Sequence, residues 1–199
     1  MNLIERAKNI IITPAKEWDV IATEQPDIGK IITGYVLPLA GAAALAVFIG
    51  YAFIGSILGS GFFGVTWGIY HALVSLIVAL CSVFVSALVI DALAPSFGAE
   101  KNMGRSVQLV AYSLTPAWIG GLLAIIPVLA LIGSLAGLYA FYLLYVGMPK
   151  LKKSPEDKQV GYFVVSIVVM IAVYVIVGLI LAAILLPILG LSYGFRPVI

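Results

Sequence analysis

Five long apolar runs carry almost no charge, and short segments between them hold nearly all of it. That alternation leaves the chain one solvent to fold in, a bilayer. A helix crossing a hydrocarbon core of about 30 Å needs roughly 20 mostly apolar residues. The runs fall at 31–55, 69–93, 107–126, 128–147 and 160–186. The third and fourth come from one uninterrupted stretch of about 41 residues, Val107 to Gly147. Twice a span in length, it predicts a hairpin of two helices that turns near Ile126-Pro127. Proline suits a helix's first position and disfavours helix just before itself. The first run begins some thirty residues in and is too long for the core of a cleaved signal, so it is expected to stay.

Composition agrees. Of 199 residues, 63% are hydrophobic and 10% charged, with a mean hydropathy of +1.17. A soluble domain carries about 25% charged residues and could not hide this much apolar surface. The expected fold is all-α: a polytopic bundle of five transmembrane helices with amphipathic interfacial helices before it. Residues 1–30 form the helical prelude, 31–190 the single membrane domain and 191–199 a short external tail. A net charge of +2 gives no basic stripe, and nucleic acid is not an expected partner. One cysteine, Cys81, allows no disulfide within the chain and no cysteine metal site.

Orientation follows from where the cations sit. Arg6, Lys8, Lys16 and Lys30 precede the first span. Lys101 and Arg105 lie between the second and third. Lys150, Lys152, Lys153 and Lys158 lie between the fourth and fifth. With five spans these ten share one side, and Arg196 alone is on the other. The N-terminus is therefore expected in the cytoplasm and the C-terminus outside. The uncharged, glycine-rich 55–64 stretch is expected to hug the outer membrane surface.

In the prelude, Leu3, Ile4, Ala7, Ile10 and Ile11 recur at helical spacing, with Glu5, Arg6, Lys8 and Asn9 on the other face. Thr13-Pro14 marks a second start, after which Trp18, Ile21 and Ala22 share a face. Two short helices are expected on the cytoplasmic surface, with Trp18 at headgroup depth or packed beneath the bundle. Ser154-Pro155-Glu156-Asp157 sets the start of the fifth helix at Pro155, with Ser154 as cap. The neighbouring Lys150, Lys152 and Lys153 are candidate contacts for anionic lipid, or serve only to fix topology.

Polar groups within the spans are few. Asp91 lies near the inner end of the second span and His71 near its outer end, roughly 30 Å apart by helical rise. An ionisable group at membrane depth is a functional candidate; a structural reading has Asp91 bonding a neighbour or Arg105 and His71 in the headgroup layer. Pro116 withholds a donor from the carbonyl of Tyr112, which leads either to a broken helix lining a cavity or to a fixed kink. Gly133 and Gly137 have the spacing of a close helix contact, as do Gly55 and Gly59, within the chain or with other membrane proteins or a second copy. No metal-ligand, nucleophile or cofactor motif occurs in the spans, so neither an enzyme nor a cofactor is expected.

Certain short segments resemble a known family. Ile12-Thr13-Pro14-Ala15-Lys16-Glu17-Trp18-Asp19-Val20-Ile21 is similar to the opening of bacterial Yip-domain proteins. Phe97-Gly98-Ala99, Tyr112-Ser113-Leu114-Thr115-Pro116, and the stretch from Ile126-Pro127 through Gly137-Leu138-Tyr139 to Gly147-Met148-Pro149-Lys150-Leu151 resemble it too. The resemblance covers nearly the whole chain. It implies five spans with a cytoplasmic N-terminus and supplies no catalytic residue. Eukaryotic relatives bind Rab-type GTPases, but their Asp-Leu-Tyr-Gly-Pro motif has no counterpart here. The expected protein is thus a non-enzymatic organiser of membrane lipids or protein partners in a prokaryotic cell membrane. The alternative is a small transporter or channel built on kinked spans around Asp91 and Pro116.

Overall fold

A computed structural model describes residues 2–55 and 64–188. Five helices in it are long and apolar enough to cross a membrane: Ile28–Ile54, Val65–Phe97, Met103–Ile125, Pro127–Lys152 and Glu156–Ile188, called here the first to fifth spans. Among the described residues there is no strand. The 55–64 surface segment, the Gly55/Gly59 contact and the tail with Arg196 were expected at positions that lie mostly outside the described residues.

Local chemistry sets most boundaries. Asp27 caps the first span through the backbone N–H of Lys30 at 3.0 Å, and Asn102 caps the third through that of Arg105 at 3.1 Å. In the first span Pro38 offers no N–H to the turn before it. The backbone passes the ring as one wide π turn, Ile32–Val36. The third span breaks at Leu114, between Met103–Ser113 and Thr115–Gly121, because Pro116 cannot continue the ladder. The chain reverses at Ile126, an extended residue before Pro127, and the fourth span returns. The fifth helix begins at Glu156, one residue after the expected start. Ser154 does not cap it, since its hydroxyl is buried with no hydrogen-bond partner.

The third span is the centre of the bundle: all eight residues from Ser106 to Ser113 are buried. The fourth packs against it so closely that backbone meets backbone. A Cβ added at Gly120 would overlap the carbonyl of Gly133 and come within 2.7 Å of the Ala136 Cβ. Gly133 is therefore used within the chain, whereas a Cβ at Gly137 would meet nothing within 4 Å. The fifth span leans on the second, held by Tyr162 donating to the Ile90 carbonyl and by the hydroxyls of Ser86 and Tyr174.

The prelude folds as a helical hairpin, α1 (Leu3–Ile12) and α2 (Pro14–Thr23), hinged at Thr13. It packs against the bundle. Three contacts trace it along the fourth span: Lys150 with Asp19 at 2.6 Å, Gly147 under the Trp18 ring, and Tyr139 donating to the Ile11 carbonyl at 2.9 Å. From Lys150 to Tyr139 is eleven residues, roughly 16 Å of helix. The hinge thus sits well below the bundle's charged end. Trp18, expected either at headgroup depth or packed beneath the bundle, is wholly buried. A Cβ on Gly147 would come within 2.6 Å of its ring, so only glycine admits the indole there.

Candidate functional site at the charged end of the bundle

Two buried ionic knots tie this end together. In the first, Lys152 Nζ lies 2.8 Å from Asp91 Oδ1 and 2.8 Å from Ser106 Oγ, and donates to the Asn102 carbonyl at 3.2 Å. Asp91 Oδ1 also accepts from the backbone N–H of Asn102 at 2.7 Å and from Ser106 Oγ at 3.2 Å. Second, third and fourth spans meet in this one cluster. Lys152, by sequence either a candidate lipid contact or a residue that only fixes topology, has no exposed surface at all. It continues the buried face of Leu144 and Met148 at steps of four. A buried cation needs a counter-charge, and Asp91 supplies it. Asp91 therefore bonds Lys152, not Arg105, and it is buried rather than wetted.

Arg6 builds the second knot. It was read on the solvated face of α1, yet it is buried. Its Nη1 lies 2.5 Å from Glu17 Oε1 and its Nη2 pairs with Glu24. Its guanidinium sits over the Tyr112 ring, 5.4 Å from the centroid. Arg105 closes the far end of α2 by donating to the carbonyls of Ile21 at 3.1 Å and Ala22 at 3.0 Å. The hairpin is thereby bolted to the third span at both of its open ends.

The carbonyl that Pro116 leaves short is satisfied internally. Thr115 Oγ1 donates to the Tyr112 carbonyl at 2.7 Å, and the Tyr35 hydroxyl pairs with Thr115 Oγ1 at 2.7 Å. Tyr35 and Tyr112 meet edge to face at 4.9 Å. Tyr112 and Pro116 thus belong to a packed joint, and Asp91 belongs to a separate knot. His71 is brought to neither. Its ring stacks on Tyr51, 4.1 Å between centroids, beside Trp67 and Tyr70 at the opposite end of the second span.

The rim is solvated. Lys150 and Lys153 are exposed and pair with Asp19 at 2.6 Å and Glu100 at 2.8 Å. Lys153 beside Glu100 holds that carboxyl below its usual range. Between the end of α2, the start of the first span and the third span lies an open cleft of about 460 Å³, lined by Glu24, Asp27, Lys30, Thr33, Gly34 and Tyr112 among others. Hydrogen bonds from the Lys30 backbone and side chain lower the Asp27 carboxyl's pKa. Sequence reasoning missed this cleft, because its walls come from segments some eighty residues apart.

The family described as the Yip1 domain matches residues 8–180 of the chain. Inner membrane protein YohC of Escherichia coli strain K12 is 30% identical over 155 residues, covering 75% of this chain and 80% of that protein. The same protein from a second Escherichia coli strain matches to the same extent. No solved structure matches the chain.

Proposed function

The chain belongs to the Yip1-domain family of membrane proteins, and from that membership we propose a non-enzymatic organiser of the bacterial inner membrane that acts on the cytoplasmic leaflet. The location follows the name of its relative. The ten-to-one distribution of Lys and Arg supports a cytoplasmic charged end and N-terminus and an external C-terminus.

The observation that carries the reading is the α1–α2 hairpin seated beside the fourth span. Each helix has ten residues, about 15 Å of rise, half of a hydrocarbon core about 30 Å thick. Two extra helices therefore fit within one leaflet, and the other leaflet has no such addition from this segment. The hairpin turns Ile4, Ile12 and Val20 outward, 75%, 65% and 50% exposed. Acyl chains are the natural cover for such residues at this depth, while Lys8 and Lys16 reach back toward headgroups. A wedge of this shape widens the cytoplasmic leaflet and favours membrane that bends toward the cytoplasm. Transport has weaker support. The charge of Asp91 is neutralised by Lys152, and the Pro116 break is filled by Thr115 and Tyr35.

Membrane tubes pulled from vesicles test this. With its charged end on the outer tube surface, the protein is expected to concentrate as the tube narrows. The variant carrying Ile4→Gln, Ile12→Gln and Val20→Gln leaves the core intact and is expected to lose that preference. Equal density of the unmodified protein on flat and curved membrane would overturn the reading.

A further inference from the structure

We propose that the cleft between α2, the first span and the third span binds the headgroup of a zwitterionic phospholipid with a primary ammonium, of the phosphoethanolamine type. This rests on the reading that the protein organises lipid, and it names the lipid.

Depth is the first argument. The cleft opens where the first span leaves its capping residue Asp27, and its wall runs from Glu24 to Gly34. That is the level at which Lys30, the last charge before 24 uncharged helical residues, reaches solvent. Headgroups lie at this level. Charge is the second argument. Glu24 and Asp27 line the cleft with a single cation, Lys30, whose Nζ is 3.3 Å from Asp27 Oδ2. Asp27 and Lys30 are both largely exposed, and such a pair exchanges readily for a ligand with the complementary pair of charges. An ammonium takes the carboxylates and a phosphate takes Lys30. Arg6 engages Glu24 through Oε1, which fixes that carboxylate in the wall. Arg6 behind Glu24 and Arg105 beside Gln108 offset part of the negative charge, so selection rests on the N–H groups that an ammonium offers the carboxylates. A trimethylated amine offers no N–H to the carboxylates and is disfavoured for that reason.

Room is the third argument. The wide turn forced by Pro38 puts Gly34 on the cleft wall. A Cβ there would meet nothing within 4 Å, so the backbone faces open space that a side chain could fill. Packing does not explain glycine at this position, whereas close approach of a ligand does.

The test uses the full chain in nanodiscs and counts retained lipid by native mass spectrometry. Phosphatidylethanolamine and phosphatidylcholine are compared in the same anionic background. Ethanolamine lipid is expected to be held about tenfold more tightly, the worth of a charge-assisted hydrogen bond or two. Gly34→Leu puts a side chain into the cleft from a Cβ position with nothing within 4 Å, and Asp27→Asn keeps a good cap while removing the charge; each is expected to abolish most of the preference. No preference in the unmodified protein, or an undiminished one in both variants, would overturn the proposal. Displacement of the lipid by soluble phosphoethanolamine at equal concentration would overturn the assignment to lipid. Curvature preference should persist in Gly34→Leu, so failure here is separable from failure of the wedge.

Discussion

The third and fifth spans cross the same membrane with opposite chemistry. Over an 18-residue stretch of each, the third has a mean hydropathy of 1.3 and 61% of that stretch is buried in protein, whereas the fifth has 3.2 and only 6%. In a water-soluble fold the more apolar helix would be the inner one. Here the least apolar span is the centre, wrapped by the hairpin and by three other spans, and the most apolar span is the outermost. Lipid tails are as apolar as leucine, so burial in protein gains an apolar side chain little. It gains a polar one a partner. Ser106, Gln108 and Thr115 are buried in the third span, whereas the fifth presents Val175, Leu179 and Ile184 to the bilayer.

Substitutions are expected to divide along that contrast. The largest effect is expected from Lys152→Ala, which strands Asp91 without a counter-charge beside the third span. A loss of about 3–5 kcal/mol is expected in reversible unfolding from bicelles. A loss below about 1 kcal/mol would mean that the knot is wet. The pair Lys152→Met with Asp91→Leu should recover most of the loss, since replacing both charges is far milder than removing one. Next comes Trp18→Ala, which empties the space between Gly147, Leu109 and Tyr112 and should cost about 3 kcal/mol by the same measurement. Tyr174→Phe removes the hydroxyl that meets Ser86 and should cost about 0.6 kcal/mol, typical of a hydrogen bond between spans. Leu179→Ala faces lipid and should stay within about 0.5 kcal/mol. If it cost as much as Trp18→Ala, the fifth span would have a protein neighbour that the single chain does not show.

The parts of the fold read most easily were those that hydropathy alone decides. Five spans, the reversal at Ile126-Pro127 and two helices parted at Thr13 all follow from run length and proline. Side-chain direction at the charged end was harder. Three lysines in Lys150-Leu151-Lys152-Lys153 look alike as a local pattern, yet the middle one is buried and its neighbours are exposed. The signal was present in the stripe of Leu144 and Met148, which reaches Lys152 at the next step of four. Arg6 is a similar case. It stands three residues after Leu3 and four before Ile10, on the inward face, but a guanidinium reads as solvated until Glu17, Glu24 and Tyr112 are brought around it. Those partners are eleven to more than a hundred residues away, and no local period reports them. The cleft was invisible for the same reason.

The glycine seam of Gly120 and Gly133 and the short turn at Ile126 have a consequence for synthesis. The third span emerges from the ribosome with Gln108 and Arg105 near one end and a broken ladder at Pro116, and it is the least apolar of the five. The fourth span follows after a turn too short to let it stand apart, and it presents the backbone surface that the third one fits. The two are therefore expected to enter the bilayer as a pair, and an insertion assay of the third span with and without the fourth checks it. The early residues, Arg6 and Trp18 among them, must wait for that pair before they find their partners. The first segment made is among the last to be locked in place.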